Sequence, residues 1–265
     1  MPLNSVAGPA SVPWGPASPL PAGPGELPGR GEVAVWLLEI PPSAAAAAAA
    51  AGHLLDAEEA RRAARLRGDL HRQRYITSHV GLRVLIGAYL GVGPAAVEFT
   101  RERCGMPDCD EPHGRPAVAG REGLHFSLSH AEDAALVAVA AAPVGADIEA
   151  RQTRSGGVDL TGRLHPDERA AIAALPEPLR DEAFLSCWVR KEAYLKGIGT
   201  GLPGGVSTNH VGLAERLAPD GGRAPEGWAL IDVAAPDGYH AAVALRTEDR
   251  LGTGRPAVAL RHLRL

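Results

Sequence analysis

The alternation of apolar and polar positions cuts the chain into short elements. Residues 31–40, GEVAVWLLEI, form a β-rich apolar run stopped by Pro41 and Pro42, which predicts a buried strand. After the alanine tract 44–51, the acids Asp56, Glu58 and Glu59 precede Arg61, Arg62, Arg65 and Arg67, which predicts a helix start. Tyr75, Val80, Leu82, Leu85, Ile86, Tyr89 and Leu90 recur at helical spacing, so a helix is expected over about residues 70–90, closed by Gly91. HFSLSH (125–130), AALVAVAAA (134–142) and VGADIEA (144–150) read as strands, the last beginning just after Pro143. HPDERAAIAAL (165–175) reads as a capped helix and residues 180–197 as a longer one. Asp237-Gly238 between two β-rich runs marks a hairpin over residues 228–245.

This order, strand, helices and strands given twice, predicts an α+β fold of two similar lobes, residues 32–142 and 143–265. No residue-level repeat accompanies it. Residues 1–31 are rich in Pro and Gly without periodicity and are expected to be a disordered tail. Residues 101–120 read as loop.

Composition narrows the classes. The 265-residue chain has no apolar run long enough for a membrane span, and its first residues lack a basic and then apolar signal pattern, so a cytoplasmic protein is expected. A net charge of -4 disfavours a general nucleic-acid binder, and three cysteines disfavour a disulfide framework. Cys104, Cys109 and His113 invite a zinc reading, but the spacing is loose and no fourth ligand is evident.

Three acids carry the candidate chemistry. Asp147 and Glu149 share one face of a strand, where a hard divalent cation would relieve their repulsion; an exposed acidic face has the same spacing. Glu192 lies in WVRKEAYLKGIGTGL (188–202) with Lys191 and Lys196, a set suited to a pyrophosphate, although a Glu192–Lys196 surface ion pair would explain it too. By helical period, Trp188, Ala193, Tyr194 and Leu195 cannot all face one core. Ser129 and His130 end a strand and can donate to phosphate. There is no P-loop and no nucleophile elbow.

Taken in order, HGRP (113–116), FSLSH (126–130), GADIE (145–149) and WVRKEAYLKGIGTGL resemble the 4′-phosphopantetheinyl transferases of the surfactin-synthetase type, over roughly residues 33–245. The resemblance implies a monomeric pseudo-dimer with coenzyme A in the cleft between its lobes. It implies transfer of phosphopantetheine to a serine of an acyl or peptidyl carrier protein, with Mg²⁺ as cofactor. By motif position, Asp147, Glu149 and Glu192 would hold the metal, and Glu192 or Lys196 would act as base. Lys191 and Lys196 would steady the phosphates, Ser129 and His130 would contact phosphate, and Arg115 and Pro116 would lie near adenine. Arg62 and Arg74 would add basic contacts, and Arg154, Arg163, Arg169 and Arg180 would meet an acidic carrier. Two departures stand out: Ala131 follows His130 where a small polar residue is common, and Arg115 replaces a lysine. Another Mg²⁺-dependent phosphoryl or nucleotidyl transferase, or a non-catalytic coenzyme A or carrier-binding module, would share these features.

Overall fold

The computed structural model describes residues 11–104, 109, 114–151, 161–202, 205–218, 224–247 and 255–265. Strand β1 (Glu32–Glu39) follows the predicted apolar run, and Pro41 and Pro42 begin helix α1 (Ile40–Leu54) rather than a loop. Proline fits the first helical turn, whose N–H groups lack intrahelical acceptors anyway. Helix α2 (Ala57–Arg65) opens with a capping box between Asp56 and Glu59. Helix α3 (Asp69–Leu90) ends where Gly91 takes a left-handed conformation. Short strands β2 (Phe99–Arg101) and β3 (Pro116–Val118) pair inside the region expected to be loop.

Strands β4 (His125–Ala131), β5 (Ala134–Ala140) and β6 (Val144–Ala150) fall where alternation puts them. Helices α4 (Pro166–Ala174) and α5 (Glu177–Ile198) precede the hairpin β7 (Trp228–Val233) and β8 (Tyr239–Arg246). A last strand, β9 (Ala257–Leu263), runs parallel to β1. The fold is mixed α+β, with one sheet ordered β4-β5-β1-β9 and another ordered β6-β8-β7. Residues 257–263 therefore join the first sheet, although sequence order puts them with the second half.

Small side chains let the sheets approach. Val33, Val35, Leu37, Ala134, Leu136 and Ala138 of the first sheet pack with Ala146, Ile148, Ala241 and Val243 of the second. Helix α3 covers the other face of the first sheet through Leu82, Leu85, Ile86 and Tyr89, and the Trp36 indole donates to the Tyr89 hydroxyl at 3.1 Å. Helix α5 is buried around most of its circumference. Trp188, Ala193, Tyr194 and Leu195 are all in the core, contrary to the helical-face expectation. The second sheet packs on one side of α5, while α4 and residues 211–217 enclose the rest.

Residues 11–31 are held against both sheets, not left free as a tail. The Val12 N–H donates to the Ala235 carbonyl at 3.0 Å, the Ser18 N–H donates to the His262 carbonyl at 2.8 Å, and Trp14 packs against the inter-sheet core. An extended strap has no periodicity of its own, because the sheets it crosses supply its partners.

Candidate active site

The edge strands β4 and β6 meet, and their polar side chains join there. The Ser127 hydroxyl accepts the Ala146 N–H at 3.0 Å, and the Ser129 hydroxyl donates to Asp147 Oδ1 at 2.8 Å. Lys196 Nζ, from α5, donates to the same Asp147 oxygen at 2.6 Å and to Ser129 Oγ at 3.0 Å. One strand end, one edge strand and one helix thus converge on a single carboxylate. Asp147 is 2% exposed, and its Oδ2 has no hydrogen-bond partner among the described residues.

Backbone contact sets this convergence. A side chain at Gly145 would run into the Ala193 carbonyl and the Gly197 backbone, so β6 and α5 touch with nothing between them. Gly197 in turn faces the Trp228 ring. It lies within α5, and the chain turns away only at Gly199 and Gly201, both with positive φ. Glu192 and Lys196 are four residues apart and share a helix face. Alternation turns Ile148 into the core and leaves Asp147 and Glu149 on the α5 side.

The charges are unbalanced. Burial raises the Glu149 carboxyl to about 7, with the Asp147 charge adding to the effect. Glu192 is raised to about 7 by burial and then by Asp147. Lys196 offsets both but pairs directly with Asp147, not with Glu192. The three carboxylates do not approach within 4.8 Å as a set in the described structure. A buried oxygen without a partner and two acids that resist ionisation form an all-oxygen donor set suited to a hard divalent cation.

His130 stands at the end of β4, accessible to solvent. Loss of hydration lowers its pKa to about 4, aided by the positive charges of His79, Lys196, Arg74 and Arg62. The ring is therefore neutral at pH 7 and set among cations. Arg62 lines a pocket of about 480 Å³ with Glu58, Arg61 and Arg65 and lies over the Tyr75 ring. Arg74 is committed to Glu132 and Asp133 in the β4–β5 turn. Arg115 donates to the Gly197 carbonyl at 2.9 Å and grips both oxygens of Glu102, which ties the end of α5 to the start of β3 at Pro116.

Lys191 is not part of this cluster. It is 1% exposed and donates to Glu168 Oε2 at 2.5 Å and to the Val206 and Asn209 carbonyls at 2.8 and 2.6 Å. Being next to Glu192 in sequence turns it about 100° round the helix, so the two cannot serve one face. Its partner Glu168 and the Arg115 partner Glu102 drew no notice in the sequence, where each looks like an ordinary surface acid. His113 and Arg154 lie outside the described residues.

Residues 143–244 match the family model described as the 4′-phosphopantetheinyl transferase superfamily. The chain is 31% identical over 194 residues to the 4′-phosphopantetheinyl transferase HetI of Nostoc sp., covering 72% of this chain and 78% of that protein. It is 28% identical over 210 residues to a putative 4′-phosphopantetheinyl transferase of Synechocystis sp., covering 74% of this chain and 81% of that one. It is also 28% identical over 181 residues to a 4′-phosphopantetheinyl transferase of Bacillus subtilis, covering 68% of this chain and 74% of the relative. With a relative this similar along most of both chains, and a family model matching the segment that carries Asp147, Glu149, Glu192 and Lys196, this chain belongs to the 4′-phosphopantetheinyl transferase superfamily.

Proposed function

We propose that this enzyme transfers 4′-phosphopantetheine from coenzyme A to a serine of an acyl or peptidyl carrier protein, releasing 3′,5′-ADP. Asp147 carries the proposal: one oxygen is bound by Ser129 and Lys196, while the other is buried without a partner among the described residues, in the field of two carboxylates raised to about 7. That donor set suits Mg²⁺, held by Asp147, Glu149 and Glu192. When bound there, the ion supplies charge stabilisation to the pyrophosphate.

The side chains divide the remaining work. Lys196 places its ammonium beside the phosphates, where negative charge develops as the bond to the leaving group breaks. Glu192 takes the proton of the carrier serine, directly or through water. The serine oxygen bonds to the phosphorus that carries pantetheine, the pyrophosphate P–O bond breaks, and 3′,5′-ADP leaves with the electron pair. His130 and Arg62 receive the 3′-phosphate, and Ser129 positions Asp147 and Lys196. Arg115 and Pro116 form a wall for adenine, since the Arg115 charge is already committed to Glu102.

The two-lobe, pseudo-dimeric reading, with lobes 32–142 and 143–265 in a monomer, rests on a parallel of layout. Each half sets one 22-residue helix, α3 or α5, on strands that pair antiparallel, β1 with β5 and β6 with β8, although β9 of the second half adds a parallel strand to the first sheet. A chain with only three cysteines suits a reducing cytoplasm.

Intact mass spectrometry of apo carrier proteins after incubation with coenzyme A and Mg²⁺ tests the function. One phosphopantetheine gained per carrier is expected, with none in the presence of chelator. An unmodified carrier from every class offered would leave a different phosphoryl transferase or a binding module as the better description.

A further inference from the structure

Beyond the cleft, His165, Asp167 and His210 bring together two distant parts of the chain. Each offers one ligand atom, and the three atoms lie within 4.8 Å of one another. His165 is the N-cap of α4, Asp167 lies in its first turn, and His210 lies in the segment after α5. The imidazole rings meet edge to face with centroids 5.1 Å apart, and His165 Nδ1 lies 3.7 Å from Asp167 Oδ2.

A buried ion pair fixes both segments behind this cluster. Glu168 Oε2 accepts the backbone N–H of His165 at 3.0 Å, while Oε1 accepts that of Val211, next to His210, at 2.8 Å. Lys191 neutralises Glu168 and also holds the Asn209 carbonyl at 2.6 Å. One buried carboxylate therefore sets the separation of the two histidine backbones before any ligand arrives, and such support is what holds metal ligands in place.

We propose that His165, Asp167 and His210 form a binding site for a borderline divalent transition metal, with Zn²⁺ the reference ion. Two imidazoles and one carboxylate are donors that Zn²⁺, Co²⁺ and Ni²⁺ accept and that Mg²⁺, which prefers oxygen, does not. Three protein ligands leave the fourth tetrahedral position to water. The histidines are half-buried, and the exposed Asp167 carboxylate is the arm that can swing inward as the ligands close to about 3.3 Å, the separation that bonds of about 2.0 Å require. Asp167, in the first turn of α4, offsets the positive end of the helix dipole. The metal clips the start of α4 to residues 209–211, which Lys191 also holds from α5. This site is independent of the proposed transfer chemistry.

The test uses the full chain, stripped with chelator and supplied with saturating Mg²⁺, so that the all-oxygen site does not compete. Zn²⁺ is titrated calorimetrically, and its effect on Tm is followed. His210→Ala removes one ligand, and His165→Asn removes another while keeping an effective helix cap. One equivalent of Zn²⁺ should bind the native chain and raise its Tm; in each variant affinity should fall at least about tenfold and the Tm rise should vanish. Should either variant fold poorly, imidazole nitrogen NMR of the native chain decides, because Zn²⁺ must shift the His165 and His210 rings. Native protein that binds no Zn²⁺, variants that bind it as tightly as the native chain, or unshifted rings would each overturn the site.

Discussion

Lys191 and Lys196 show how little a residue type says without its helix face. Lys191 neutralises a fully buried acid, and replacing it with Met strands that charge, so Lys191→Met should cost about 3–5 kcal/mol in urea unfolding while the folded fraction keeps its kcat. Lys196→Met also takes the cation from a buried acid, Asp147, so it should cost stability too, but it should in addition lower the kcat of the folded fraction at least about 100-fold, because its ammonium faces the cleft. A kcat of folded Lys191→Met lowered as far as that of Lys196→Met would contradict this division. Gly145→Ala forces a methyl group into the α5 backbone and should cost at least about 1–3 kcal/mol, measured the same way. His130 offers a test by pH. Its folded pKa of about 4 lies below the ordinary 6.5, so stability from the neutral ring is present above 6.5 and is lost as pH falls toward 4. A bound 3′-phosphate reverses the balance and favours the imidazolium. Coenzyme A binding at pH 6 should therefore take up a proton, seen by calorimetry in buffers of different ionisation enthalpy, and His130→Ala should abolish the uptake. Native protein that binds without proton uptake would remove His130 from the phosphate.

At the scale of elements, the boundary signals were legible and the partnerships were not. The Asp56–Glu59 capping box and the left-handed Gly91 are local chemistry, visible as a motif before any tertiary contact exists. Nothing local shows that Arg83 of α3 reaches back to Asp56 and Glu59 at 2.7 and 2.6 Å, which makes that cap part of the α2–α3 packing. Asp56→Ala should therefore lose more than the usual cap value of about 0.5–2 kcal/mol. Hydrogen exchange over residues 57–65 should quicken, and KM for coenzyme A should rise as the Arg62 helix loosens, with little change in kcat. Protection of α2 equal to that of the native chain would show that the cap is dispensable. β9 escaped notice because a short edge strand is defined by the strand it joins, here β1, more than by its own alternation.

For the whole molecule, net charge constrains the partner. A chain of charge -4 that meets an acidic carrier needs local cations, and Arg163, just before α4, and Arg169, within it, are both exposed. Charge reversal at either should lower kcat/KM for the carrier, more at low salt than at high salt, with KM for coenzyme A unchanged; native carrier kinetics at low ionic strength would place docking elsewhere. The sequence by itself determined the type of most elements, though not of α1, β2, β3 and β9, the closure of α3 at Gly91, the shared face of Asp147 and Glu149, and the ordered motifs that mark the superfamily. Periodicity, caps and turn chemistry act over a few residues, so they survive in a linear reading. Only the tertiary structure decided that the extended segment 11–31 is strapped across both sheets, that α5 is enclosed on nearly every side, and that Lys191 is an internal counter-ion. It also decided that β6 and α5 touch through Gly145 and Gly197, which is what brings Asp147 to Lys196. Each of these depends on groups far apart in the chain, and whether a charge is a ligand or a strut is set by the partner that packing delivers to it.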